Sequence, residues 1–296
     1  MIMGIKRFTI NEFREMYPNE DACLDKIFQL RFNNLVCPKC ESDKTFTRVK
    51  GRRSYQCPAC GFQVYPTKDT VFEKSTTPLT HWFYAIFLQT TTRNGVAAKE
   101  LERQLNICYK TALRMNHQIK ILMADKHMGK LTGIVQIDET YLGMLMANKH
   151  RKERAEMYKD GQTPADKKTA IMGFISDDKK IKLEVMTDTQ TFKQRVKNNV
   201  SKDAVVVTDG HLGYSGLNLH YAKHEVINHI ENEFKRGEYH TNSIENVWSN
   251  VKRTIKGTHI HVSAKHLQKY VDEVAFRMMN KDKQDTMFET ILSHVA

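Results

Sequence analysis

The stretch GIVQIDETYLG at residues 133–143 decides the fold that we expect for this chain. It begins as an alternating apolar strand and ends in acidic residues, the first of which is Asp138. A second stretch, DAVVVTDG at residues 203–210, has the form of a buried strand and ends in Asp209. Acids at the ends of central strands point into the crevice where α/β sheets carry out chemistry. The two stretches therefore predict an α/β core with a carboxylate site at one edge of its sheet.

A third acid, Glu245, lies on the helix predicted from HTNSIENVWSNVKRTIKG at residues 240–257. At about 100° per residue, the apolar side chains of this helix form one stripe and most of its polar and basic side chains face away. Glu245 lies at the border of the stripe, where a carboxylate can be partly buried and still reachable. Asn242 and Glu245 also match a capping box, in which Asn caps the helix and Glu bonds back to a free N–H. The helix alone leaves both interpretations open.

Three carboxylates in one cleft repel each other unless cations lie between them. Mg²⁺, or Mn²⁺ in its place, prefers oxygen ligands, and Mg²⁺ keeps room for phosphate and water. Two such ions about 3.5–4 Å apart support phosphodiester chemistry. We therefore interpret Asp138, Asp209 and Glu245 as candidate magnesium ligands. Glu139 follows Asp138 in the strand and should point to the opposite face of the sheet, as a surface or supporting acid.

Four of the six cysteines form two CxxC pairs with the spacing Cys37-x2-Cys40-x16-Cys57-x2-Cys60. In a reducing compartment this pattern indicates a metal site rather than disulfides. The spacing lies within the range of a four-cysteine zinc site, and four thiolates leave no open position on the ion. The sequence therefore predicts a zinc ribbon at residues 33–66 with a structural Zn²⁺.

Residues 95–123, GVAAKELERQLNICYKTALRMNHQIKILM, are typical of two helices joined by a turn with two apolar residues. This is the length and pattern of a helix-turn-helix, although any antiparallel helix pair in a core would share it. The second helix should present polar side chains that suit contacts to bases and phosphates. These side chains are Lys110, Arg114, Gln118 and Lys120.

The composition favours a polyanionic partner. The 296 residues carry a formal net charge of +12 with a pI of about 9.3, which favours nucleic acid before an acidic membrane surface. The sequence has no apolar run of about 18 residues, so we expect no membrane span. Its start lacks the apolar core of a signal peptide. The expected location is the cytoplasm, on the nucleoid when the protein binds DNA.

Several motifs, taken in order, resemble one family. They include CPKC…CPACGFQVYPTKDTVF, AKELERQLNICYKTALRM, QIDETYLGM, VVVTDGHLGYSGL, HEVINH and HTNSIENVWSNVKRTIKGTHIHVSAKHLQKYVDEVAFR. With 35 residues between Asp209 and Glu245, and Lys252 seven residues further on, the chain resembles the DDE transposases and integrases. From about residue 20 to 280 it is similar to bacterial insertion-sequence transposases of the ISXO2-like type. That group carries an N-terminal zinc ribbon and is related to the eukaryotic Merlin elements.

The resemblance implies a multidomain α/β chain in which a zinc ribbon and a helix-turn-helix precede an RNase H-like catalytic core. The implied segments are an N-terminal helical segment (1–32), the zinc ribbon (33–66), the helix-turn-helix region (76–125), the core (131–280) and a C-terminal tail (281–296).

The resemblance also implies roles for individual residues. Asp138 and Asp209 would be the first two Mg²⁺ ligands. The third would be Glu245, with Asn242 as the next choice because the family tolerates Asn as well as Glu in this role. Lys252 would contact DNA phosphate near the site, and Arg253 lies on the same basic side of the helix.

The implied function is that of a DNA transposase acting as a homodimer or larger oligomer. It would bind the terminal repeats of its element, hydrolyse a phosphodiester with Mg²⁺ and join the freed 3′-OH to target DNA. Two other functions stay open: a DNA-binding regulator whose acidic core merely folds, and an RNase H-like nuclease that cleaves without joining. A regulator would tolerate Asn at Asp138 and Asp209, and a nuclease would yield hydrolysis products only.

Overall fold

The structure is a computed structural model, and it describes residues 7–125, 127–143, 168–187, 190–227 and 235–295. The chain divides into two compact units. The first unit comprises Met1–Met123 and Asn280–Ala296, and the second comprises Ala124–Met279. In the described part of the chain, no helix is both long and apolar enough to cross a membrane.

The first unit is mainly helical. Its helices are α1 (Ile10–Met16), α2 (Glu20–Phe32), α3 (Leu79–Thr91), α4 (Ala98–Leu105) and α5 (Tyr109–Met123). Helices α1 and α2 begin at the caps Thr9 and Asn19, whose side chains accept backbone N–H bonds. The apolar helix α3 supplies much of the core, and its Leu79 and Trp82 are fully buried.

Three short strands form the ribbon of this unit: β1 (Thr47–Arg48), β2 (Tyr55–Gln56) and β3 (Gln63–Val64), paired antiparallel in that order. The ribbon contacts α2 through an aromatic stack, in which the ring centroids of Tyr55 and Phe28 are 4.0 Å apart. Arg48 adds an ion pair of 2.8 Å with Asp21. The ribbon is therefore attached to the helix that precedes it.

The segment 281–296, predicted as a tail, contains the helix Met287–Ser293. Its Phe288 is buried and contacts the rings of Phe13, Tyr17 and Phe83. The helix is only seven residues long, which is too short for a clear periodic pattern in the sequence. The C-terminal end of the described chain thus contributes to the core of the first unit.

The second unit contains a five-stranded mixed sheet. Its strands are β4 (Ile134–Leu142), β5 (Thr169–Ser176), β6 (Ile181–Val185), β7 (Val205–Asp209) and β8 (Lys223–Ile227). Their order across the sheet is β6-β5-β4-β7-β8. The pairs of β5 with β4 and β6 are antiparallel, and those of β7 with β4 and β8 are parallel. Ile137 pairs with Thr208, so Asp138 and Asp209, which follow them, lie side by side on neighbouring strands. Strand β7 ends at Asp209, as predicted, whereas β4 continues four residues beyond Asp138 to Leu142 because it pairs with β5 over this length.

Helices cover both faces of this sheet. Helix α6 (Phe192–Asn199) lies on one face, where Val196 belongs to a buried cluster with Ile137. Helices α7 (Asn242–Thr254) and α8 (Ala264–Met279) lie on the other face. The predicted apolar stripe of α7 is confirmed, since its members are all buried: Ile244, Val247, Trp248, Val251 and Ile255.

Candidate functional site

Three carboxylates come together at the end of β7, beside the central strand β4. Oxygen atoms of Asp138, Glu139 and Asp209 all lie within 4.8 Å of one another. The parallel pairing of the two strands accounts for the meeting of the two aspartates. Three negative charges at this distance favour a divalent cation with oxygen ligands, so the donor set fits such an ion.

Asp138 is oriented by the tryptophan of helix α7. The Nε1–H of Trp248 donates a hydrogen bond of 2.8 Å to the Asp138 carboxylate. The indole can reach this position because Gly173 of β5 lies opposite Asp138. A Cβ at Gly173 would be 2.5 Å from the indole ring. A glycine in the neighbouring strand therefore makes room for the donor that positions a carboxylate.

Burial raises the pKa of Asp138 to about 6. The negative charges of Asp209 and Glu139 raise the pKa further, whereas hydrogen bonds from Trp248 and the Glu139 backbone N–H lower it. An acid in these surroundings is stabilised by a proton or by a cation that neutralises the cluster.

Helix α7 is anchored to β4 at its N-terminus by Gln136. The side-chain oxygen of Gln136 accepts hydrogen bonds from the backbone N–H groups of Ser243 (3.1 Å) and Ile244 (3.3 Å). These N–H groups are ones that a capping side chain usually satisfies. Sequence reasoning missed this contact, although Gln136 is two residues before Asp138 and so lies on the same strand face.

Glu139 points to the face opposite to Asp138, as predicted, but of the two roles expected for it, a surface or a supporting acid, the surface role is wrong. Its side chain is only 8% exposed, and it accepts a hydrogen bond of 2.7 Å from the hydroxyl of Tyr214. Burial, followed by the charge of Glu139, raises the pKa of Tyr214, so that the hydroxyl remains a donor. Tyr214 belongs to the cluster on the α6 face, yet a glutamate is long enough to keep one oxygen near the aspartates.

Glu245 and Asn242 are both exposed on α7. The group of acids within 4.8 Å does not include Glu245, whose carboxylate accepts a hydrogen bond of 3.0 Å from the Thr241 hydroxyl. The capping-box interpretation is wrong, because Thr241 is the N-cap and Asn242 is the first helical residue. Gln136, from a distant strand, provides the capping oxygen instead. The role of Glu245 as a metal ligand stays a prediction.

The four cysteines form a second potential metal site. One Sγ atom from each of Cys37, Cys40, Cys57 and Cys60 lies within 4.8 Å of the others. Each CxxC pair sits in a tight loop closed by matching backbone bonds: Cys37 N–H to Ser42 and Cys57 N–H to Phe62. The pairs interlock, since Cys37 faces Cys60 at 3.6 Å and Cys40 faces Cys57 at 3.7 Å. Four thiolates in this arrangement are suited to zinc.

The predicted basic contacts lie on two different helices. Lys110 and Arg114 are exposed on α5, and Gln118 is half-buried there. Lys120, expected on the same exposed side, is fully buried. It adjoins Ile119 and lies one turn after the buried Asn116, on the side that packs inside the unit. Lys252 and Arg253 are exposed in the last turn of α7.

Both potential metal sites fall within segments that match known transposase domains. The model of the ISXO2-like transposase domain matches residues 130–279, and that of the transposase zinc-ribbon domain matches residues 18–63. The chain is 25% identical over 293 residues to an uncharacterized protein in transposable element ISH50 of Halobacterium salinarum, which covers 93% of this chain and 98% of that protein. No solved structure matches the chain. The match over residues 130–279, which contain the five-stranded sheet and its carboxylate cluster, shows that this chain belongs to the ISXO2-like transposase family.

Proposed function

We propose that this chain is a DNA transposase that cleaves a phosphodiester at the ends of its element and joins the freed 3′-OH to target DNA. The observation that carries the proposal is the convergence of Asp138, Glu139 and Asp209 on the neighbouring strands β4 and β7. It lies inside the segment that matches the transposase domain. Phosphodiester chemistry with divalent ions needs such a set of oxygen ligands.

We propose an RNase H-like fold for the sheet unit. The support is its topology: an antiparallel β4-β5-β6 meander is followed by two strands parallel to β4 on its other side. We also propose that α4 and α5 form a helix-turn-helix. The support is the short turn between them, in which Asn106 adopts a left-handed conformation with φ of 50°.

Asp138 and Asp209 would hold the divalent ion, for which Mg²⁺ or Mn²⁺ is the proposed identity. Glu245 is the third ligand proposed from the family resemblance, and Asn242 is the alternative. The structure adds Glu139, whose oxygen is already near both aspartates. Bound divalent ions would activate the attacking oxygen and stabilise the leaving oxygen of the phosphodiester.

The side chains around the site have separate tasks in this proposal. Trp248 keeps Asp138 turned toward the cluster, and Tyr214 does the same for Glu139. Lys252 and Arg253 would bind DNA phosphates by charge. Lys110, Arg114 and Gln118 would read the element ends from α5. Element ends and target DNA are the proposed partners of a homodimer or larger oligomer, acting in the cytoplasm on the nucleoid.

Strand transfer with purified full-length protein tests the proposal. The reaction contains a labelled duplex from the boundary of the DNA segment that encodes this chain, a target plasmid and Mg²⁺. Wild type is compared with Asp209→Asn, Glu139→Gln, Glu245→Gln and Asn242→Ala. We expect joined products with wild type and none with Asp209→Asn.

The remaining variants identify the third ligand. Loss of joining with Glu245→Gln, but not with Glu139→Gln, would assign it to Glu245, and the reverse pattern would assign it to Glu139. Loss only with Asn242→Ala would move the role to Asn242. Hydrolysis without joining would replace the proposal by a nuclease, and equal DNA binding without cleavage in every variant would replace it by a regulator.

A further inference from the structure

A large apolar side chain stands exposed beside the carboxylate cluster. Leu212 is 86% exposed and begins the short 3-10 turn Leu212–Tyr214, three residues after Asp209. An isolated exposed leucine is common on protein surfaces. The surroundings of Leu212 distinguish it, because the turn that carries it is tied to the carboxylates at several points.

The first ties are hydrogen bonds to the acids. The backbone N–H of His211 donates to the Asp209 carboxylate at 3.0 Å. Two residues after Leu212, the Tyr214 hydroxyl donates to Glu139 at 2.7 Å. The His211 ring accepts a hydrogen bond from the Gly213 N–H at 3.0 Å. The turn is therefore connected to the carboxylates on both sides of the leucine.

The turn is also packed closely against helix α6. The rings of His211 and Phe192 stack with centroids 5.2 Å apart. A Cβ at Gly213 would be only 2.5 Å from the Phe192 ring, so a glycine permits this approach. Leu212 thus stays exposed on a closely packed support, although the same turn buries Tyr214.

A second exposed apolar surface lies on β4. Tyr141 is 51% exposed. Tyr141 is two residues after Glu139 in the same strand, and side chains at this spacing point to the same face of a sheet. Two exposed apolar side chains, Leu212 and Tyr141, therefore lie close in the chain to the residues of the carboxylate cluster.

We propose that Leu212 is a wedge that separates the base pair next to the cleaved phosphodiester, and that Tyr141 stacks on the base released from the pair. Apolar side chains open DNA by entering between base steps. Aromatic rings then bind unpaired bases by stacking, whatever their sequence. The ligand is the unpaired nucleobase at the end of a DNA duplex. This proposal rests on the transposase function proposed above.

Leu219 offers a matched control. It is 80% exposed and also lies in a 3-10 turn, Leu217–Leu219. That turn comes shortly before β8, whose first residue Lys223 pairs with Val205 at the start of β7. At about 3.3 Å per residue, this end of β7 is roughly 13 Å from the end that carries Asp209. Leu219→Ala therefore removes a comparable apolar side chain away from the carboxylates.

Cleavage of two duplexes in Mg²⁺ tests the wedge. One duplex is fully paired at the cleavage point, and the other has the same sequence with the adjacent pairs mismatched. Leu212→Ala should lower the cleavage rate of the paired duplex by about 10- to 100-fold. Its cleavage rate on the mismatched duplex should stay within about 2-fold of the wild-type rate. Leu219→Ala should resemble wild type on both. Equal loss by Leu212→Ala on both duplexes, or no loss on either, would overturn the proposal.

A binding measurement separates the wedge from catalysis. The paired duplex carries the fluorescent base 2-aminopurine next to the cleavage point, and Ca²⁺ replaces Mg²⁺. Wild type and Leu219→Ala should raise the fluorescence as the base unstacks, and Tyr141→Ala should raise it more because the quenching ring is absent. Leu212→Ala should bind the duplex without a rise. The same rise with Leu212→Ala and wild type would refute the wedge. Unstacking by a wild type that cleaves neither duplex would reject only the proposed transposase reaction.

Discussion

The two potential metal sites of this chain differ in how the fold assembles them. The four cysteines lie between positions 37 and 60, and each CxxC pair shares one tight loop. The three clustered acids come from β4 and β7, and their side chains are oriented by Trp248 and Tyr214 from other elements. The first site depends on local chain geometry, whereas the second depends on strand order and helix packing.

This difference predicts how the loss of one ligand affects folding at each of the two sites. Loss of a ligand in the ribbon should affect the folding of that region, because a metal bound only by the folded form contributes its binding energy to folding. Loss of Asp209 from the carboxylate cluster should abolish chemistry and leave the sheet folded, because Asp209 is the last residue of β7 and is only partly buried.

The largest effect is expected from Cys57→Ser. Structural zinc contributes on the order of 10 kcal/mol to folding in small zinc domains, so the variant should lose bound zinc and the ribbon should unfold. Metal analysis of the purified protein and protease sensitivity of the ribbon measure this. Cys108→Ser, at an exposed cysteine outside the cluster, is the control and should retain zinc. Retention of zinc by Cys57→Ser would remove the contrast between the sites.

The next effect concerns Asp209→Asn. It should reduce cleavage and strand transfer by about a thousandfold or more, because a group that acts as part of a catalytic unit causes such losses when removed. Thermal unfolding should change little. Asp203→Asn replaces an exposed acid just before the same strand and should keep full activity. A strongly destabilised Asp209→Asn protein would show that the two sites do not differ as described.

A smaller effect is expected from Trp248→Phe. The change keeps an aromatic ring over Gly173 but removes the donor to Asp138. Loss of such a supporting hydrogen bond typically costs about 10- to 100-fold in metal affinity or activity. The Mg²⁺ concentration for half-maximal cleavage should therefore rise.

The control for that experiment is Trp82→Phe. It makes the same chemical change in the first unit, where the Trp82 Nε1–H donates to the Ser75 hydroxyl at 3.1 Å. Its Mg²⁺ requirement should equal that of wild type. Equal Mg²⁺ requirements for Trp248→Phe and wild type would mean that the indole only packs and does not position Asp138.

The smallest effect on cleavage is expected from Asp272, a partly buried acid outside both metal-ligand groups, whose titration should change stability instead. Burial raises the pKa of Asp272 on helix α8 from 3.8 to about 6, although a hydrogen bond from Gln268 lowers it. Between these pH values the folded chain binds more protons than the unfolded chain, so the free energy of unfolding falls as pH rises from about 4 to about 6.

Asp272→Asn should remove this pH dependence. Urea unfolding at pH 4 should give similar stabilities for wild type and the variant, and at pH 7 the variant should be more stable by up to about 3 kcal/mol. A variant less stable than wild type at pH 7 would mean that the charged form of Asp272 contributes to the fold. Unlike the acids of the cluster, this carboxylate should respond to pH without any response to Mg²⁺.

Much of the architecture could be predicted because it follows from local patterns. The apolar stripe of α7 and the two strands that carry Asp138 and Asp209 are read from periodicity, and all are present, although the strand of Asp138 continues to Leu142. The cysteine cluster is read from spacing, since two residues between cysteines leave few ways to arrange their thiolates. For these features the neighbouring residues in the chain supply the physical cause.

Other features arise only when distant segments meet. No local pattern shows that Gln136 caps α7, that Gly173 makes room for Trp248, or that Tyr214 draws Glu139 into a buried position. Lys120 is a different case, because at about 100° per residue it lies about 160° from Gln118 and on the side of the buried Asn116. The helical period by itself therefore separates it from the exposed basic side. Hydrogen bonds and steric fits between elements far apart in the chain depend on their relative positions, and those positions are properties of the folded tertiary structure.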